Sequence, residues 1–184
     1  LAQKSKAHID AIDLEVRAYE QASENARFCK WSSHLTVHHI SLQSYSKSGN
    51  KKYDLIVSNP PYFIQSSKSA GEERTHARHN DILPFEELVM GVIDLLEKTG
   101  RFCLILPIKE ASLFRTLAES KGLYLSKLLR VRTKKDKESE KRHVMEFTFS
   151  NGVTNENTIV IEKDERHEYT EEFKELTKDY YINL

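Results

Sequence analysis

Two consecutive prolines, Pro60 and Pro61, interrupt the chain directly after an apolar run. Neither has an N–H to give to a sheet ladder, so a strand arriving through Tyr53-Asp54-Leu55-Ile56-Val57 must stop near Ser58. Leu55, Ile56 and Val57 are what a parallel strand buried on both faces needs. In open α/β sheets ligands bind beyond the carboxyl ends of the strands. Asn59, Pro60, Pro61 and Tyr62 fall at such an end.

Those four residues suit the holding of a planar amino group. The Asn59 side-chain oxygen and a backbone carbonyl in the turn can each accept a hydrogen bond from an NH2. Pro61 fixes its own φ and restricts Pro60, which holds the Pro60 carbonyl in place. Tyr62 offers a ring face on which a base can stack. An exocyclic amine is a poor nucleophile because its lone pair is delocalised into the ring. Two acceptors on its hydrogens favour the pyramidal form, so positioned acceptors supply the stabilisation without a charged base.

A chain of 184 residues suits one domain over 1–184. No apolar run reaches transmembrane length and no signal-peptide pattern opens the chain, so the reading involves no membrane. Cys29 and Cys103 are far apart, and the eight histidines show no ligand spacing, which argues against a metal. His38-His39, within a strand, reads as structural, Cys103 as a small core residue, and the compartment as a reducing cytoplasm. Formal net charge is zero, so a polyanion must be held by a local patch. Residues 130–142 carry seven Lys or Arg against three acids, and 162–175 reverse that bias.

In order, the pattern predicts the end of a helix at 1–6, a strand at 7–12 ending at Asp13, and an amphipathic helix over 14–29. A strand follows at 35–40, then a polar connection over 41–52. A long loop spans 65–80, and a helix over 81–98 is stopped by Gly100. A buried strand covers 101–106 and a helix 110–121. Strands at 123–132, 143–150 and 158–162 and a helix over 170–180 complete the chain. The alternation predicts a doubly wound α/β sheet, with a late antiparallel pair at its edge.

Asn59-Pro60-Pro61-Tyr62 after Tyr-Asp-Leu-Ile-Val-Ser resembles the signature of class I S-adenosylmethionine-dependent amino-methyltransferases, across essentially the whole chain. The resemblance implies a Rossmann-like fold, S-adenosylmethionine as cofactor and catalysis by Asn59 to Tyr62. It also implies a cofactor site made by Asp13 and Leu14 at the ribose, Ser41 and the Leu42 backbone at the adenine, and Asn59. For Asp13 the alternative is a helix N-cap carboxylate; Glu15 is a weaker ribose candidate. Ser41 stands where the family usually carries an Asp. The family's first strand and glycine-rich turn have no counterpart among the six unclustered glycines. The expectation is therefore a fragment, or numbering that omits an N-terminal region; the alternative is a natural truncation with an unpaired central strand.

Ala77-Arg78-His79 and Tyr169-Thr170 through Tyr180-Tyr181 resemble the bacterial tRNA adenine-N6 methyltransferases, which modify an anticodon-loop adenosine. That subgroup implies a tRNA partner. Lys68, Arg74 and Arg78 would grip phosphates beside a flipped base, or else form a solvated loop. Arg132, Lys134 and Lys135 would contact RNA, or else form a solvated hairpin tip. Three rival readings share parts of the pattern: release-factor glutamine-N5 methylation, rRNA guanine-N2 methylation, and a non-enzymatic RNA-binding remnant.

Overall fold

The computed structural model describes residues 1–49, 51–60, 84–135 and 140–181. Its chain divides into two compact units, Leu1–Lys51 and Lys52–Leu184.

The first unit is a βαβα run. Strand β1 (Ile9–Asp13) pairs in parallel with β2 (Leu35–His39), with Asp13 opposite His39. A parallel pair needs a crossover, and helix α1 (Val16–Phe28) supplies it. Residues 1–6 form a turn, not the end of a helix. The expected connection after β2 contains a short helix, α2 (Leu42–Lys47). Its start is set by the Ser41 hydroxyl, which accepts the Ser44 N–H at 3.2 Å as an N-cap. Asp10 of β1 accepts from His38 Nε2 at 2.9 Å and also from Lys51 Nζ.

The second unit carries a five-stranded sheet in the order β3-β4-β6-β5-β7. Its strands are β3 (Tyr53–Ser58), β4 (Leu96–Pro107), β5 (Tyr124–Lys134), β6 (Glu140–Thr148) and β7 (Asn155–Glu162). β3 and β4 are parallel, β6 runs antiparallel between β4 and β5, and β7 adds a parallel edge beside β5. Helices α3 (Phe85–Leu95) and α4 (Ile108–Ser120) pack on β4, and α4 also reaches β5 and β6. Helix α5 (Glu171–Thr177) lies along β7.

The core of this unit is aromatic. Phe114 of α4 meets Phe147 edge-on at 5.6 Å and Phe85 at 5.2 Å, and Phe102 lies 6.0 Å away. Leu88, Val89 and Val92 of α3 are buried, as are Leu104 and Leu106 of β4 and Met145 of β6.

Three expectations fail in this unit. The helix after Pro84 ends at Leu95, and Leu96 begins β4. Gly100 therefore does not stop a helix. It lies where the β3–β4 register jumps, with Tyr53 opposite Leu96 but Leu55 opposite Arg101. A Cβ there would fall 2.9 Å from the Tyr53 carbonyl, so only glycine lets the strands approach. The glycine that ends a helix is Gly122, at φ +87°, with Leu123 N–H returning to Ala118 O. Nor is β3 buried on both faces: Leu55 and Ile56 are half-buried and Val57 is 54% exposed. Val57 lies in register with Cys103 and Glu146, on the sheet face away from α3 and α4. Cys103 is half-buried there instead of in the core, and desolvation, ahead of Glu146, raises its thiol pKa.

Candidate active site

In the second unit the carboxyl end of β3 presents the motif. Ser58 is the last strand residue, Asn59 follows it exposed, and Pro60 is buried. Ser58 stands opposite Leu104, so Asn59 lies at the sheet end where β4 reaches Leu106 and Pro107. Pro61 and Tyr62, like Lys68, Arg74 and Arg78 and the loop at 65–80, lie outside the described residues.

The basic segment sits at that same sheet end. β6 enters there antiparallel, with His143 opposite Leu106 and Arg142 opposite Pro107, and Arg130 opposite His143. Arg132 and Lys134 continue β5 beyond Asn59's level, and Lys135 follows, exposed. The sequence did not disclose the counterions that order this group. Glu140 accepts from His143 Nε2 at 2.8 Å and from Arg132 at 3.5 Å, with Arg130 at 3.6 Å. The His143 hydrogen bond, ahead of the two arginines, holds the Glu140 carboxyl below its ordinary range. Arg130 also pairs with Glu156, and Lys134 Nζ donates to the Asp164 carbonyl at 2.6 Å. Glu140 lies three residues before His143 in a strand, a spacing that carries no pattern of its own.

In the first unit the carboxyl ends of β1 and β2 carry the other predicted residues. Asp13 does not cap α1. That role belongs to Glu15, whose carboxylate accepts from Arg17 N–H at 3.1 Å and Ala18 N–H at 2.6 Å. Those two backbone donors, Arg17's first, lower the Glu15 pKa. With both oxygens engaged, Glu15 is the poorer partner for a sugar hydroxyl. Asp13 Oδ1 accepts the Glu15 N–H at 2.9 Å, which leaves Oδ2 clear of hydrogen bonds among the described residues. Ser41 Oγ, besides capping α2, donates to Ser44 Oγ at 3.0 Å, so its side chain is already committed. Leu42 opens α2, where a backbone N–H has no acceptor within the helix. His39, unassigned by the sequence beyond a structural role, donates from Nε2 to the Leu14 carbonyl at 3.1 Å. Its ring stacks on Tyr19 at 5.2 Å.

Among the described residues no helix is long and apolar enough to cross a membrane, and no three His, Cys, Asp or Glu side chains cluster to hold a metal ion.

Solved methyltransferases share this Rossmann-like fold. A predicted O-methyltransferase from Agrobacterium tumefaciens superposes with a TM-score of 0.68 at 11% identity, over 94% of this chain and 77% of that one. The modification protein of the type I restriction enzyme EcoKI gives a TM-score of 0.54 at 15% identity, over 92% of this chain and 40% of that one. In sequence, residues 2–129 match the Eco57I restriction-modification methylase family. A Bacteroides fragilis relative named tRNA1(Val) (adenine(37)-N6)-methyltransferase is 38% identical over the whole chain, which spans 77% of that relative. A Flavobacterium psychrophilum relative of the same name is likewise 38% identical, over 100% of this chain and 78% of its own length. The chain belongs to the tRNA1(Val) (adenine(37)-N6)-methyltransferase family.

Proposed function

We propose that this protein transfers a methyl group from S-adenosylmethionine to the exocyclic N6 of an adenine in the anticodon loop of a valine tRNA. The observation that carries the reading is the 38% identity, over the full chain, to relatives bearing that enzyme's name. The exposed amide of Asn59 at a strand's carboxyl end agrees with it.

The donor, when bound, supplies an electrophilic methyl on a sulfonium. Asp13 fits its ribose, because Oδ2 is open while Oδ1 is fixed by Glu15 N–H. Ser41 fits the adenine poorly through its hydroxyl, and the Leu42 backbone N–H takes that contact. At the acceptor, Asn59 Oδ1 and the Pro60 carbonyl receive the two N6 hydrogens. As the nitrogen attacks, its bond to the methyl forms while the methyl–sulfur bond breaks, its positive charge grows and both hydrogen bonds strengthen, which is where stabilisation counts; N6 then loses one proton to water. Pro61 stiffens the turn and Tyr62 stacks on the base. Unpaired anticodon-loop bases lower the unstacking cost of reaching such a pocket.

The tRNA is held by a local patch, since the chain is net neutral. Arg132, Lys134 and Lys135 serve it at the sheet end shared with Asn59, with Lys68, Arg74 and Arg78 from further along the sequence. A cytoplasmic location follows from the substrate.

The test is methyl incorporation by the full-length protein into tRNA, ribosomal RNA, duplex DNA and release factor. Incorporation into tRNA as N6-methyladenosine is expected. Inert tRNA beside a labelled release factor or ribosomal RNA would overturn the substrate. Asn59→Ala should lower the rate by about two to three orders of magnitude while leaving donor affinity near normal. A variant that keeps most of its turnover would remove Asn59 from the chemistry.

A further inference from the structure

We infer that His39 is a positioning residue for the cofactor site, acting on Asp13 through a single peptide group. The inference rests on the reading of Asp13 as the ribose ligand.

His39 Nε2 lies 3.1 Å from the Leu14 carbonyl. A carbonyl only accepts, so Nε2 carries the hydrogen. The Leu14 carbonyl and the Glu15 N–H belong to the same planar trans peptide and point in opposite directions. That N–H donates to Asp13 Oδ1 at 2.9 Å. The three groups form one line: imidazole N–H to carbonyl, and the far side of that peptide to carboxylate. Hydrogen bonds in series polarise one another, so a donor on the Leu14 oxygen strengthens the Glu15 N–H as a donor to Asp13. It also resists rotation of the peptide plane, which would turn the N–H away.

The imidazole is itself fixed. His39 is opposite Asp13 in the β1–β2 register, and Ile40 N–H donates to the Asp13 carbonyl at 3.1 Å, which ties the two strand ends together. Tyr19 of α1 stacks on the ring with planes 23° apart. One face of the relay is thus anchored to α1 and its end to β2. Its output is an Asp13 carboxylate with one oxygen held and the other presented.

The experiment is titration calorimetry of the full-length protein with S-adenosylmethionine, alongside kcat at saturating donor and tRNA. The variants are His39→Ala, His39→Phe, His39→Gln, Asp13→Ala and the Asp13→Ala/His39→Ala double. His39→Phe keeps a ring on Tyr19 but has no donor, so it separates the hydrogen bond from packing. We expect both His39→Ala and His39→Phe to weaken donor binding about five- to tenfold, the effect of one hydrogen bond, with kcat unchanged. His39→Gln, whose amide N–H can reach the same carbonyl, should bind within about twofold of the parent. The Asp13→Ala variant should bind weakly, and adding His39→Ala to it should cost nothing more. Normal binding by His39→Phe beside weak binding by Asp13→Ala would overturn the relay and leave the ribose reading standing. A full additional loss in the double variant would also overturn it. Normal binding by Asp13→Ala would remove the ribose reading and the relay together.

Discussion

The two units are held together by different physics. Every buried apolar side chain among the described residues, from Pro60 to Ile159, belongs to the second unit. The first unit, Leu1–Lys51, has none and leaves Leu14, Val16 and Phe28 exposed. Its order comes from polar contacts: the Asp10–His38–Lys51 group, the Glu15 and Ser41 caps, and the His39–Tyr19 stack. Burial is non-directional and additive over area, whereas a buried carboxylate is costly once its partners are removed. The proposed acceptor site therefore rests on a packed scaffold, and the proposed donor site on a polar one that fails locally.

The largest effect should come from breaking the packed side. Phe114 contacts three other phenylalanines and is completely buried. Phe114→Ala should cost about 3–5 kcal/mol of stability, measured by denaturant unfolding. Hydrogen exchange should show the loss in β4, β5 and β6. A loss below about 1 kcal/mol would mean that the core is not aromatic in the energetic sense.

The matching cut on the polar side is Asp10→Ala. The Asp10 side chain is 9% exposed and serves both His38 and Lys51. Removing it should cost about 1–3 kcal/mol, and faster amide exchange should be confined to β1, β2 and α1. Exchange that quickens equally in the aromatic core would erase the distinction between the units.

Alkaline pH should sharpen the contrast further. The Asp10 hydrogen bond raises the Lys51 pKa above its ordinary 10.5. Its contribution is therefore complete below pH 10.5 and lost as pH rises through the higher folded value. Residues 9–39 should loosen in that range, and Lys51→Met should abolish the dependence. Acid does not discriminate in this way. Glu15 in the first unit and Glu140 in the second are both lowered from 4.5, so both contributions are present above that value and lost as pH falls through the lower folded ones. The smallest effect should be that of Lys135→Ala, which leaves fold and donor affinity alone but flattens the salt dependence of tRNA binding by about one unit. An unchanged slope would take Lys135 out of the interface.

Where the sequence could be read, covalent geometry or strong periodicity did the work. Two prolines fixed the end of β3, and the reading of Tyr53 to Ser58 matches the strand residue for residue. Leu88, Val89 and Val92 repeat at helical spacing and are buried. Tertiary choices were not legible in this way. Gly100 looks like a helix stop until the β3–β4 register shows two backbones in close approach there. Val57 is as apolar as Ile56, and only the face it takes in the sheet decides its exposure. At the candidate sites, residue types were legible but their partners were not. Asp13 and Glu15 are both acids near a helix start, and hydrogen bonds alone assign the cap to Glu15. Glu140, which orders the arginines of the proposed RNA face, comes from the far side of a hairpin.

If Asn59 directs methyl transfer to a tRNA adenine, the modification in the cell must depend on its amide. Mass spectrometry of nucleosides from purified valine tRNA tests it most directly. The samples come from a strain lacking this gene, complemented with nothing, with the full-length parent, or with Asn59→Ala. N6-methyladenosine should be absent in the deletion, restored by the parent, and still absent with Asn59→Ala expressed at equal level. N6-methyladenosine persisting in the deletion, or restored in full by Asn59→Ala, would contradict that dependence.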